Sequence, residues 1–436
     1  MSAPVGANAE ALRIFLRLTR PQPLADPYPL HARLRDLAPF LPIRFPGVTS
    51  GFLVSTFAGC SRLLRDPSFG PPTGDHLDAL RPGWRESAFT RCLYRSLPLL
   101  TGPGHRAHRQ APARHFSPRH LQGHRRDMER AADALLDDLD LDRVRDRDVD
   151  RDVDRDLDRD LDVDRDLDRA GPVVDLVERL ALPFASLSLG RLLGIADDEA
   201  IRLGRLTRQV SGAFDQFATA RQHARTAAAG AELVGRLTAI ISGRRGAGDL
   251  LAGLAGSGSA ADEQELIGSA VMLFAAGVDS PASMVGLGTE LLLRHPDQAA
   301  RLRRQPELAA RAVAEILRYE PPVQLVARAA VTPVELEGRP VPAGSMVFGL
   351  IAAGNRDPAQ FKAPETFDLT REQVPSLSFG AGPHYCLGAY LTGVQGEILF
   401  PRLLNRFPRL RPAGDPAYRT PGSTLRGLDR LPLRLA

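Results

Sequence analysis

Leu377-Ser378-Phe379-Gly380-Ala381-Gly382-Pro383-His384-Tyr385-Cys386-Leu387-Gly388-Ala389 decides how this 436-residue chain reads. A lone thiol sits among glycines and is followed by a helix-compatible run at Leu387–Leu391. Glycines at 380, 382 and 388 let the backbone turn tightly and approach a flat object closely. A thiol just ahead of a helix meets the positive end of that helix and its free N–H groups, which favour thiolate over thiol. Two other readings compete. A single cysteine is most often a small buried hydrophobe, and His384, two residues away, allows a nucleophilic Cys–His pair.

Spacing decides against both. Phe379-Gly-x-Gly-x-His-x-Cys386-x-Gly388 fixes the residue at six of ten positions. A thiolate held by N–H donors on an open loop is what a haem iron takes as an axial ligand. The motif closely resembles the haem-ligand loop of the cytochrome P-450 family. The resemblance makes Cys386 the proximal iron ligand, with Gly380 and Gly388 shaping the loop, His384 touching a haem propionate and Phe379 packing near haem and thiolate. It implies a mainly α fold with small β-sheets: a helix-rich triangular prism with haem b between a long central helix and the Cys loop. The likeness runs from about Asp26 to Pro432.

Composition sets the outer limits. With 43% hydrophobic and 25% charged residues, the chain suits a globular protein with a sizeable core. No run of about 18 uninterrupted apolar residues predicts a membrane span. Met1–Glu10 is small and polar, without a signal-peptide pattern. Cys60, Cys92 and Cys386 form no disulfide framework and fit a reducing, cytoplasmic setting. The +4 net charge is uneven. Residues 137–169 hold 16 Asp and 8 Arg, a net −8, which leaves +12 on the remainder. No nucleic-acid motif accompanies that charge, so a basic face for an acidic redox partner is the better reading.

One domain, residues 1–436, is expected, interrupted by a low-complexity Arg/Asp insertion at about 137–169. Within it, Val149, Val153, Leu157 and Leu161 recur every four residues, and Arg151, Arg155 and Arg159 can pair with neighbouring aspartates. A solvated helix and a disordered repeat are both open readings. Before the insertion, Ile43–Phe45 and Gly51–Ser55 read as strands, and Gly70–Leu100 as a long irregular functional loop. After it, helices are expected at Val173–Leu193, Glu199–Phe217, Gln222–Ser242, Glu263–Arg294, Asp297–Gln305 and Pro306–Tyr319. Strands follow at Val326–Ala329, Val334–Leu336, Arg339–Val341 and Ser345–Leu350.

Four further constellations fit the family. Glu315-x-x-Arg318 places opposite charges on one helix face, and it resembles the family's buried Glu-x-x-Arg pair behind the haem. The usual third partner, an Arg in Pro-x-Arg-Phe, is replaced here by Thr366 in Pro364-Glu365-Thr366-Phe367. His105 and Arg109, four apart, share a helix face fit to grip one anion. The family holds haem propionates with such a pair, and Arg328 in Val326-Ala-Arg-Ala329 matches a third clamp. Phe274-Ala-Ala276-Gly277-Val278-Asp279-Ser280-Pro281 resembles the family's oxygen-activating stretch. There Ala276 and Gly277 would leave room for dioxygen, and Asp279 with Ser280 would relay the protons its cleavage requires. Ser280 stands where Thr is usual. Pro281 is expected to free the Gly277 carbonyl and widen a groove that admits water.

The resemblance therefore implies a monomeric haem-thiolate monooxygenase. It would insert one atom of dioxygen (O2) into a small hydrophobic organic substrate, as a step of secondary metabolism such as antibiotic biosynthesis. Electrons from NAD(P)H would arrive through an external ferredoxin reductase and ferredoxin, with no nucleic acid or membrane involved. Position 393, commonly basic in the family, is Gly393 here. A coupling or rearranging oxidase on the same haem, and a haem sensor without turnover, are the other readings.

Overall fold

Apolar residues on every face of Glu263–Arg294 call for a helix buried all round, and the helix has those bounds. The computed structural model describes residues 5–20, 22–43, 51–80, 83–153, 172–215, 220–243, 263–372, 375–420 and 424–435. The segment Ile267–Arg294 is long and apolar enough to cross a membrane, but it is mostly buried inside the molecule. It packs against helices Ala88–Tyr94, Leu182–Leu192, Asp197–Val210 and Ala220–Ser242 on one side, and against Ala309–Tyr319 and Ala389–Arg406 on the other. Gly277 makes one of these approaches close. A Cβ there would lie 2.8 Å from Leu189 Cδ2, so alanine would require the Leu189 side chain to shift.

Beside this helical body lies a five-stranded sheet in the order Phe40–Ile43, Gly51–Val54, Met346–Leu350, Leu325–Ala330, Phe69–Gly70. Only Gly51–Val54 and Met346–Leu350 run parallel. Side chains alternate faces along a strand. Leu325, Ala327 and Ala329 therefore enter one apolar cluster with Ala11 and Phe15 of the N-terminal helix, while Val326 and Arg328 face the cavity described below.

Several expected boundaries move. The segment Val173–Leu193 begins as a strand, Val173–Asp175, paired antiparallel with Pro432–Arg434, and turns helical only at Val177. Two β-branched valines gain a ladder with the C-terminus, which local periodicity cannot reveal. The first strand is Phe40–Ile43, while residues 44–50 lie outside the described residues. The polar-looking start of the chain forms helix Val5–Thr19, anchored by Ala11, Phe15 and Leu18. The irregular stretch Gly70–Leu100 holds helices Gly74–Leu80 and Ala88–Tyr94, the second N-capped by the Ser87 hydroxyl accepting from Thr90 N–H.

The insertion also starts later than expected. Helix Pro118–Val153 enters the acidic block and uses its beginning for packing. Leu139 is fully buried, Arg406 pairs with Asp137 at 2.7 Å and Asp140 at 2.9 Å, and Arg179 pairs with Asp138 at 2.8 Å. Residues 137–140 therefore belong to the body, and the first exposed apolar residue after them is Leu141. The repeat beyond Val153, residues 154–171, lies outside the described residues.

Candidate active site

The thiol loop is built by its glycines. Gly380 and Gly382 take φ of 72° and 68°, conformations that L side chains rarely adopt. At Gly382 a Cβ would also meet Leu64 O at 2.7 Å. Cys386 N–H donates to Phe379 O at 2.8 Å and closes the loop. Gly388 is needed less for space, since its Cβ would touch only Cys386 Sγ at 4.0 Å. Its N–H donates to the thiol. Helix Ala389–Arg406 follows at once.

Burial pushes the Cys386 thiol up from its ordinary pKa, while the Gly388 N–H and Arg109 pull it down. The pull of a backbone N–H toward thiolate is thus present as the sequence leads one to expect, but burial outweighs it.

His105, Arg109, Arg328 and His384 converge beside the loop and line the same cavity. The His105 and His384 ring centroids are 4.2 Å apart. His105 Nε2 and His384 Nδ1 are buried without a hydrogen-bond partner among the described residues. Arg109 donates to Tyr385 O at 2.5 Å, and Arg328 to the adjacent Ala327 O at 3.0 Å. Burial and then the Arg328, His105 and Arg109 charges push His384 down to about 4. Burial, followed by Arg109, also lowers His105. Such a cluster of cations and orphaned imidazole nitrogens needs anions, and a pair of haem carboxylates fits it. His108 turns away: its Nδ1 meets Gly104 O at 2.8 Å, and its Nε2 lies 3.6 Å from Glu265.

The cavity measures about 310 Å³. Cys386, Phe379, Gly380 and Gly388 line one side, with Ala276, Gly277, Ser280 and Pro281 of the central helix among its other walls. Hydrocarbon from Leu97, Pro98, Met272, Leu273, Val323 and Val326 completes much of the wall. Among the described residues, none from 210–225 lines the cavity, and neither does Leu425.

Asp279 stands apart from Ser280. It does not line the cavity. Neighbouring helical residues point about 100° apart, and Asp279 turns toward the C-terminal strands, where its Oδ2 accepts from Arg419 Nη1 at 2.7 Å. Both side chains are buried. Pro281 does not break the helix, which continues to Arg294.

Behind the loop, Arg318 and Glu315 form a buried bidentate pair, with both N–O distances 2.8 Å. The missing third partner is Arg371, whose Nε reaches the two Glu315 oxygens at 3.0 and 3.1 Å. Thr366 contributes only its backbone carbonyl, which accepts from Arg318 and Arg371. Neither Arg371 nor Arg419 stood out in the sequence. In an arginine-rich chain, single arginines outside a spaced motif carry no signal.

Comparison with known proteins follows this geometry. Residues 242–421 match the family model described as Cytochrome P-450. The chain is 31% identical to the cytochrome P-450 monooxygenase PikC of Streptomyces venezuelae, over 94% of this chain and 91% of the relative. It is 32% identical to the 6-deoxyerythronolide B hydroxylase of Saccharopolyspora erythraea, over 94% and 96%. The chain belongs to the cytochrome P-450 family. This P-450 is thus a haem-thiolate monooxygenase that draws electrons from NAD(P)H through redox partners. Its fold agrees with the structure of the tirandamycin C-bound P-450 monooxygenase TamI, with a TM-score of 0.78 at 26% identity, covering 94% of this chain and 98% of that one.

Proposed function

We propose that this P-450 hydroxylates or epoxidises an apolar, polyketide-like secondary metabolite, in a reducing cytoplasm and with a ferredoxin and its reductase as electron source. The observation that carries this reading is the sharing of one cavity by Cys386, His105, Arg109, Arg328, His384, Ala276, Gly277 and Ser280, with a largely hydrocarbon wall. The names of the hydroxylase and monooxygenase relatives support the substrate class.

Each residue has a role in this reading. Cys386 ligates the iron. His105, Arg109, Arg328 and His384 hold the propionates by charge-assisted hydrogen bonds. Phe379 packs beside the thiolate. When bound, the haem supplies the oxygen-activating chemistry, which the protein tunes through its thiolate ligand. Ala276 keeps the central helix slim at the cavity, where Gly277 presents only backbone. Ser280 presents a hydroxyl there that passes protons onward, and Asp279, one position earlier, is their source. Leu97, Met272, Leu273, Val323 and Val326 exclude water and position the substrate.

Electrons would enter where the loop meets the surface. Tyr385 and Tyr390 are 46% and 37% exposed there, large apolar groups left uncovered. Arg65 approaches the loop at Gly382, and Arg62 and Arg106 are exposed on helices that pack beside it. Basic charge around two aromatic rings suits an acidic iron–sulfur protein.

Reconstitution with ferredoxin, ferredoxin reductase, NADPH and a panel of polyketide metabolites tests the reading by mass spectrometry. A gain of one oxygen is expected, whereas loss of two hydrogens would assign a coupling oxidase. Reduced protein under carbon monoxide should show the red-shifted Soret band of thiolate ligation, and Cys386→His should abolish it. Retention of the band in that variant would overturn the ligand assignment.

A further inference from the structure

Three buried polar atoms behind the central helix have no protein partner among the described residues: Asp279 Oδ1, Arg419 Nε and His31 Nδ1. Buried polar groups pair with protein or with ordered water, so each marks a position that water can fill. Arg419 and His31 line one small chamber with Thr19, Gln22, Gln324 and Arg426. It measures about 30 Å³, and since a water needs about 10–15 Å³, it has room for about two. Its rim includes the exposed Arg20 and Gln22, and its inner wall is the Arg419 guanidinium that holds Asp279.

Two buried acid–arginine pairs, whose acids lie on neighbouring helices, differ in kind. Arg318 grips Glu315 with two parallel bonds and fills its remaining donors with backbone carbonyls. Arg419 grips Asp279 with one bond, reaches Ser283 Oγ only at 3.4 Å and leaves its Nε unmatched, 4.0 Å from Asp429 Oδ1. A fork-to-fork pair is rigid, and a single bond with unmatched atoms on both partners has less to lose on opening. Water from the chamber can satisfy Nε and Oδ1 as the pair parts.

We propose that Arg419 is a positioning residue for Asp279, and that the chamber is a water site through which protons reach Asp279 from the N-terminal side of the molecule instead of through the substrate cavity. The proposal rests on the reading of Asp279 as proton source. Arg419 gives up no proton itself; it holds the carboxylate turned away from the cavity and releases it to water.

The test needs no known substrate. Substrate-free holoenzyme driven by ferredoxin, its reductase and NADPH reduces dioxygen to hydrogen peroxide, consuming two protons for every two electrons. Arg419→Gln should keep the haem content and thiolate Soret band, leave the KM for ferredoxin unchanged, slow NADPH oxidation about tenfold and enlarge its solvent deuterium isotope effect. Arg419→Lys should recover most of the rate. The double variant Asp279→Asn, Arg419→Gln should be no slower than Asp279→Asn alone. A slow Asp279→Asn beside an unaltered Arg419→Gln defeats this proposal and leaves the relay standing, whereas silence in both defeats the two together. Should Arg419→Gln fail to hold haem, the crystal structure of the wild-type holoenzyme decides. Waters within hydrogen-bond distance of Arg419 Nε and His31 Nδ1 support the proposal, and a dry chamber overturns it.

Discussion

Glu315 shows how a single side chain can be assigned correctly while its surroundings stay hidden. It accepts two bonds from Arg318, two from Arg371 and one from the Asp368 N–H. Arg371 lies five residues beyond the threonine that occupies the family's arginine position, and its long side chain covers the gap. Its other donors go to the Lys362, Ala363 and Thr366 carbonyls. Arg371→Ala should therefore cost about 2 kcal/mol, the worth of a charged hydrogen bond in a half-buried setting. Thr366→Ala should be nearly silent, because only its backbone takes part. Urea unfolding of the two haem-loaded variants checks both, and equal midpoints would show that Arg371 is dispensable. The pairing of Glu315 with Arg318 was legible because both lie on one helical turn. The third partner was not, because it comes from another segment.

At the scale of elements, the central helix carries a proline at its busiest point. Pro281 cannot donate to the Gly277 carbonyl, yet the helix continues and Pro281 lines the cavity. A helix-interior proline costs up to about 3 kcal/mol against alanine. Pro281→Ala should accordingly raise stability by about 1–3 kcal/mol in urea unfolding, while closing the groove beside Ser280. Ser280→Ala should let NADPH oxidation continue but divert it to peroxide, read by a peroxide assay, and full coupling to product in that variant would place the relay elsewhere. Helix Pro118–Val153 makes the opposite point. It packs through Leu136 and Leu139, and the Arg/Asp repeat that follows offers no large aromatic side chain to bury. Replacing Asp146–Arg169 with a short Gly/Ser linker should leave the Soret band and turnover unchanged. Loss of haem on that replacement would show that the repeat packs on the body.

The whole molecule is tied together at its two ends. Arg426 donates to Leu24 O at 2.7 Å and Ala25 O at 2.5 Å, and also to Glu320, which accepts from Tyr28 Oη at 2.5 Å. Arg356 is sandwiched between Tyr28 and Tyr319 at 3.3 and 3.5 Å from their ring centroids. His31 is buried within this cationic knot, and burial, then Arg356 and Arg426, push it down to about 3 from 6.5. Between those values the unfolded chain binds a proton that the folded chain refuses, so stability is present above 6.5 and is lost as pH falls below it. From pH 7 to pH 5 the loss is about 2 kcal/mol. His31→Leu should remove that part of the slope in urea unfolding at the two pH values, and an identical slope would show that His31 already protonates in the folded chain.

Local chemistry in the sequence determined whatever depends on residues close together in the chain. The thiol loop, with its two left-handed glycines, belongs here, as do the His105–Arg109 face, the Glu315–Arg318 turn and the span of the central helix. Backbone conformation and helical spacing are set over a few residues, so such motifs read directly. The tertiary structure alone decided which distant groups meet. Arg371 reaches Glu315 across 56 positions, Arg419 reaches Asp279 across 140, and Val173–Asp175 pairs with the C-terminal strand. It also decided that Asp279 faces away from Ser280's cavity, and that burial pushes the Cys386 thiol up despite the helix behind it. These outcomes follow from desolvation and from partners brought in by packing, quantities that no short stretch of sequence contains.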